Sequence, residues 1–416
     1  MPEIRNIVFL GTSYAGLGAA HYFLKHIHPT LPKDEKVTYR VVLVDPSTKF
    51  YLRHASPRAL ASEALMPNKH IFLPTENGFK QYGDTVTFVQ GKAVSWDTES
   101  RGVTIRKANG KEEVLLYHAL ILATGTKTPS PLYSLQGTPH TDIEAALAEI
   151  RGNLATAKHI VIAGGGPAGV ESAGELGELL NGRAGWFASR PSHPQAQITL
   201  YTNSDKLLPV LRPSIGKQAE VFLKQVGVDV QYNTKISSSQ PLSNGQTSVM
   251  LHNGEEVVTD IYIPAMGLSP MTEYVPKHLL DPQGYVKTND QTLRVNAAGP
   301  RVYAVGDVGT YSRNSIIDIM DSIPVLETNL KRDLLAAHVD YNAKPSGPDR
   351  LFKAGPAETQ IVPVGRSKGV GALFGWRLPS WFVWLLKSRN FMVTEAGVHD
   401  RLMGNDWAKE KAWNGK

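Results

Sequence analysis

Gly164, Gly166 and Gly169 stand at the spacing G-x-G-x-x-G, behind the apolar run His159–Ala163 and ahead of residues 170–180, whose apolar positions recur with a helical period. That pattern suits an anion. The first glycine permits a tight turn, the second lets backbone approach a pyrophosphate, and the third lets helix and strand pack closely. The helix N-terminus then offers free N–H groups and a positive dipole end to phosphates. A ligand-free glycine turn is the bland alternative, and a lone motif would not exclude it. The motif is not alone: Gly11-Thr12-Ser13-Tyr14-Ala15-Gly16 follows the strand-like run Ile7–Leu10. Ser13 stands there in place of the second glycine, and its small side chain is tolerated if the hydroxyl faces the phosphate.

Acids at strand ends add a second layer of chemistry. Asp45 closes the β-rich run Val37–Val44 and is placed to bind a ribose hydroxyl. It lies 34 residues after Gly11, against the usual ~20. A loop over 26–36, carrying Pro29 and Pro32, accounts for the excess. The second unit ends its strand in Tyr201-Thr202-Asn203-Ser204, with neither an acid for a 2′-hydroxyl nor an arginine for a 2′-phosphate. Lys206 is the nearby cation, and the choice of coenzyme stays open. Asp307, after Gly306 in Val302–Asp307, can accept a hydrogen bond from a polyhydroxyl chain; a simple turn acid is the alternative. Residues 315–335 read as a loop entering a helix, with Pro324 in its first turn. Such a helix N-terminus would stabilise negative charge on a reduced ring.

These residues require a particular frame. Two β-turn-α-β units recur about 150 residues apart. Ala119–Gly125, including Thr124 and Gly125, is an apolar strand entering a glycine turn, and Asp260–Gly267 repeats that form. The class is α/β, with two Rossmann-type dinucleotide-binding domains and a small C-terminal α+β domain. The expected boundaries are 1–135 with 280–345, 136–279, and 346–416. Hydrophobic residues make up 42% and charged residues 20% of the 416, enough to bury a large core. There is no cysteine, which excludes a disulfide framework, a thiolate metal site and a redox dithiol; no metal is expected. The net charge of +6 is scattered rather than clustered, which argues against nucleic acid. No apolar run reaches the ~18 residues of a membrane span. The chain shows no secretory signal, and Pro2 excludes glycine myristoylation, so a cytoplasmic protein with at most loose membrane association is expected.

Together, Gly11-x-Ser13-x-x-Gly16, Ala123-Thr-Gly125, Gly164-Gly-Gly-Pro-Ala-Gly-Val-Glu171 and Val302-Tyr-Ala-Val-Gly-Asp307 resemble the glutathione-reductase-type flavoproteins. Within them the chain looks most like the cysteine-free branch around apoptosis-inducing-factor-like proteins. That branch includes the ferroptosis suppressor oxidoreductase and, more distantly, type II NADH dehydrogenases. The resemblance implies FAD on the first unit, with Asp307 on the ribityl chain, and NAD(P)H on the second. It implies that Glu171 sits near the nicotinamide; an exposed first-turn helix acid is the bland alternative. Arg58, in Phe50–Ala59, matches the family segment that passes the flavin. A small electron acceptor, with a quinone as the best candidate, completes the expected reaction. Rival readings are a tailoring enzyme for an aromatic or quinonoid metabolite, a redox sensor without fast turnover, and a reductase for a ferredoxin-like partner. The apolar run Trp381–Leu386, followed by Lys387 and Arg389, suits either an anionic membrane surface or packing on the flavin domain or a homodimer partner. Packing is the favoured reading, because a short all-apolar run is usually buried.

Overall fold

The computed structural model describes residues 3–33, 37–355 and 358–415. Pro2 and residues 34–36 of the expected loop lie outside the described residues. Strand β1 (Glu3–Leu10) runs through the glycine turn into helix α1 (Tyr14–Tyr22), and β2 (Val37–Asp45) returns parallel to β1. Ile7 to Leu10 are all buried, which explains their unbroken apolar run: an interior strand of a parallel sheet has no polar face. Helix α2 (Ser56–Ala61) precedes the strands β3 (Val86–Asp97), β4 (Gly102–Lys107) and β5 (Glu112–Leu116). Strand β6 (Ala119–Leu122) then comes back to the other side of β1, with Leu122 opposite Leu10.

The second unit repeats the plan. Helix α3 (His140–Leu154) leads to β7 (His159–Ala163), α4 (Pro167–Leu180), β8 (Gln197–Tyr201), α5 (Pro213–Lys224), β9 (Val228–Gln231) and β10 (Ile261–Pro264). The four strands are parallel in the order β9-β8-β7-β10. The run His159–Ala163 is a strand over those residues, the next strand ends at Tyr201 as expected, and the strand of the Asp260–Gly267 segment spans Ile261–Pro264. The helix expected from Val170 starts earlier, at Pro167, where a missing N–H costs nothing.

The chain then rejoins the first sheet. Strand β11 (Val302–Ala304) pairs in parallel with β6, giving the order β11-β6-β1-β2-β3-β4-β5. Helix α6 (Ile316–Val339) follows and corrects one expectation. Pro324 is not in its first turn but lies eight residues inside, buried. Ser315 is the true N-cap, its Oγ accepting the Ile317 N–H at 3.2 Å. The cap starts the helix upstream of the proline.

The remaining chain forms the antiparallel strands β12 (Gln360–Val364), β13 (Lys368–Leu373) and β14 (Trp376–Arg377), then α7 (Ser380–Val383) and α8 (Glu395–Leu402). This sheet lies directly on α4: a Cβ at Gly174 would stand 2.7 Å from the Gly365 nitrogen. The tryptophan-rich segment is divided by face. Val383 is fully buried against Gly369, while Trp381 remains 67% exposed. Among the described residues no helix is long and apolar enough to cross a membrane.

Candidate functional site

Both glycine turns open on one cavity of about 1410 Å³, larger than the ~300–1,000 Å³ of an ordinary small-molecule pocket. The turns have the same construction. Gly11 has φ +98° and Gly164 has φ +125°, conformations open to glycine. A Cβ on Gly16 would stand 1.8 Å from the Gly11 carbonyl oxygen, and one on Gly169 would stand 1.9 Å from that of Gly164. These contacts let each helix begin directly over its strand end. Gly166 differs in kind: a Cβ there would meet nothing within 4 Å. No protein atom requires glycine at this point, which is the N-cap of α4 and faces the cleft. Ser13 is the matching N-cap of α1; its hydroxyl caps no backbone group of the helix.

The first cradle gathers residues from distant parts of the chain. Asp45 accepts the Thr12 N–H at 2.7 Å and the Ser47 N–H at 2.8 Å. Burial pushes its carboxyl above the usual range, against the pull of those N–H groups. Thr124 donates from Oγ1 to the Met271 carbonyl at 2.8 Å, and Gly125 turns with φ +68°. Gly306, with φ +77°, sits so close to α1 that a Cβ would stand 2.7 Å from that of Ala15. This brings Asp307 against the cleft. Its Oδ1 is buried without a hydrogen-bond partner among the described residues, and its Oδ2 lies 3.8 Å from Arg53 Nη1. A buried acceptor facing a cavity needs a donor, which the hydroxyls of a ribityl chain supply. The residues present therefore fit FAD.

Glu171 lies in the first turns of α4 and is buried, which overturns the exposed-acid alternative. Its Oε1 accepts from Lys387 Nζ at 2.6 Å. Burial pushes the carboxyl up to about 7, outweighing the stabilising pull of Lys387. Lys387 itself comes from the tryptophan-rich segment. Beside it, His54 and Tyr14 are joined by a hydrogen bond between Nδ1 and the phenol oxygen. Burial, with Lys387 and Arg401 nearby, holds His54 down to about 3, so the ring is neutral at pH 7. Burial likewise pushes the Tyr14 phenol up to about 12. The Arg401 guanidinium stands 5.4 Å from the centroid of the Tyr14 ring. Glu171, Lys387, His54, Tyr14 and Arg401 thus line one wall, running from α4 to α1 and α8.

Five expected residues do not line the cleft: Gly16, Gly169 and Gly306 pack behind the turns, and Arg58 and Pro324 lie elsewhere. Arg58 does not line the cleft. It is buried between α2 and α4, paired to Glu175 through Nε and Nη2 at 2.9 and 2.8 Å, and it also donates to the carbonyls of Ser388 and Arg389. Its position on α2 turns it toward α4 rather than the cavity. Pro324 is also outside the lining; residues 314–317 at the start of α6 stand there instead. Sequence reasoning missed Tyr14, His54, Lys387 and Arg401. Tyr14 holds a variable position of the first glycine motif and the others belong to none, and Lys387 and Arg401 reach Tyr14 and His54 only because the C-terminal segment folds back onto the cleft.

The comparisons agree with this geometry. Oxidoreductase phnG of Penicillium herquei is 43% identical over 420 residues, 99% of this chain and 96% of the relative. Ferroptosis suppressor protein 1 of Mus musculus is 24% identical over 397 residues, 94% of each chain. The structure of NDH2 from Plasmodium falciparum in complex with NADH superposes with a TM-score of 0.64 at 15% identity, covering 99% of each chain. Residues 5–325 match the pyridine nucleotide-disulphide oxidoreductases. The chain belongs to that family of oxidoreductases, whose FAD and nicotinamide dinucleotide occupy two cradles of the kind described.

Proposed function

We propose that the protein takes reducing equivalents from NAD(P)H and delivers them to a small acceptor of quinone type. The observation that carries this reading is the single cleft lined by both cradles, with the Glu171–Lys387 pair on the wall between them. The bound dinucleotides supply the hydride chemistry, while the protein supplies position and electrostatics. Gly11, Ser13, Ala15, Asp45, Thr124, Gly125 and Asp307 would hold FAD, with Gly16 and Gly306 packed behind the turns. Gly164 and Gly166 would hold the pyrophosphate of NAD(P)H, with Gly169 letting the helix begin over the strand end. Glu171 holds or releases a proton at its carboxylate near neutral pH, and Lys387 keeps it oriented toward the cleft.

The absence of cysteine excludes a dithiol relay within the chain, so electrons must leave directly to an acceptor. A second reading, reduction of an aromatic or quinonoid metabolite, draws on the Tyr14–His54 pair, which offers hydroxyl and imidazole groups beside an open cavity. Trp381, exposed and followed by the exposed Arg389, is the part of the surface that would meet an anionic membrane, while Lys387 is turned inward to Glu171. Stopped-flow bleaching of the flavin by NADH and NADPH tests the first half. A screen of quinones for reoxidation tests the second. A protein that comes out colourless and does not take up FAD would overturn the reading.

A further inference from the structure

The C-terminal chain is fastened at two places and crosses the cleft between them. At the near end Phe391 is fully buried, with the Arg58 guanidinium 4.7 Å from its ring centroid. At the far end Leu402 and Trp407 are buried. From residue 392 to residue 401 nothing is buried, although Met392, Gly397, Val398, Asp400 and Arg401 all line the cleft.

The far fastening is made on α1 and its helical continuation Phe23–Ile27. A helix ends in carbonyls that have no partner within it, and those around the end of α8 find theirs here. The Leu402 carbonyl accepts from His21 Nε2 at 2.9 Å, and the Gly404 carbonyl accepts from Lys25 Nζ at 2.7 Å. The Trp407 carbonyl accepts from His26 Nε2 at 2.8 Å. Trp407 stands over Gly18, where a Cβ would come within 3.1 Å of its Nε1, and meets the Tyr22 ring edge-on at 5.4 Å. A Cβ on Gly404 would stand 2.3 Å from His21 Cγ. The helix whose N-terminus faces the first cradle thus holds the C-terminal chain along its flank.

What this chain offers the cleft is cover rather than charge. Arg401 Nε lies 3.1 Å from Asp406 Oδ2, and Asp400 Oδ1 accepts from Asn405 Nδ2 at 2.9 Å, so these groups are engaged among themselves. Met392, 57% exposed, and Val398 give the cleft an apolar face. That face lies beside Tyr14, the first residue of α1, whose ring centroid is 5.4 Å from the Arg401 guanidinium. We propose that residues 392–411 form a strap that packs on bound FAD, so that the docked strap retains the cofactor and the cofactor holds the strap down. FAD leaves when the far fastening lifts from α1. This rests on the reading of the first cradle as the FAD site.

The test uses the FAD-loaded protein. Trp407→Ala combined with Lys25→Met loosens the far fastening at two residues that do not line the cleft. FAD release, followed by the rise of flavin fluorescence on dilution, should be at least about tenfold faster in this variant. The second arm needs no substitution. Coupling between two binding events is reciprocal, so FAD should slow trypsin cleavage after Lys409 by about tenfold relative to FAD-depleted protein. Cleavage after Lys111, in the hairpin between β4 and β5, should be the same in both forms and serves as the control. Release that is unchanged in the variant overturns the proposal. Cleavage after Lys409 that is indifferent to FAD also overturns it, whether or not the variant folds. Failure of the unmodified protein to take up FAD is a different result, and it overturns the reading of the first cradle.

Discussion

Glu171 and Glu327 are both buried carboxyls, and the difference between them is their partners. Glu171 faces the cleft with Lys387 at 2.6 Å and titrates near 7. Flavin reduction by NAD(P)H should therefore show a pH transition near neutrality. Glu171→Gln should remove the transition and slow the step by about 100-fold. Stopped-flow rates from pH 5 to 9 measure both, and an unchanged profile would count against a role for Glu171. Glu327, midway along α6, has both carboxylate oxygens buried with no hydrogen-bond partner among the described residues. Burial pushes it well above its ordinary value of 4.5. The folded state thus holds a proton that the unfolded chain releases as pH rises through that value, so stability falls as pH climbs above it, by up to about 1.4 kcal/mol per unit. Glu327→Gln should flatten this dependence and raise stability most at alkaline pH. Urea denaturation at pH 5, 7 and 9 checks the slope. Of these residues, Glu171 was marked in the sequence by the family resemblance that its motif carries. Glu327 was not, because nothing in a helical stretch announces that a given acid faces inward.

At the scale of elements, the glycine turns separate binding from folding. Gly166→Ala meets no protein atom and has an ordinary φ of −77°. It should leave the melting temperature within about 2 °C, since a surface change without a lost contact is worth less than ~0.5 kcal/mol. The KM for NAD(P)H should rise by about tenfold or more, because the methyl takes the space of the pyrophosphate. Gly169→Ala forces a Cβ against the Gly164 carbonyl and should instead destabilise the fold. A Gly166→Ala variant with unaltered coenzyme binding would remove the phosphate role from that turn. Arg58 belongs to this scale too, since it ties α2, α4 and the segment after α7 together. Removing one partner of a buried pair costs about 3–5 kcal/mol. Arg58→Met should cost that much by denaturant titration, and Arg58→Met with Glu175→Met should recover most of it. Here the resemblance marked the right residue for the wrong reason: a motif locates Arg58 along the chain but not the side to which α2 turns it.

For the whole molecule, the first cradle is drawn from residues 11–16, 45, 124–125 and 306–307, which only the folded chain brings together. A cofactor bound there stabilises the native state alone, by about 4 kcal/mol at a thousand times its Kd. FAD-depleted protein should melt several degrees lower, and added FAD should restore the transition. Identical melting of both forms would mean that the cradle does not bind FAD. The sequence by itself determined the two glycine turns, because each is a short-range pattern: an apolar strand, glycines at fixed spacing and a helix impose their geometry over some twenty residues. It also determined, through the absence of cysteine, that no dithiol takes part. Only the tertiary structure decided the rest. It closed the cleft with a wall from the C-terminal segment, paired Lys387 with Glu171 across 216 residues, and withdrew Arg58 and Pro324 from the cleft. Contacts between residues so far apart depend on how sheets and helices pack, and packing leaves no periodic trace in the chain.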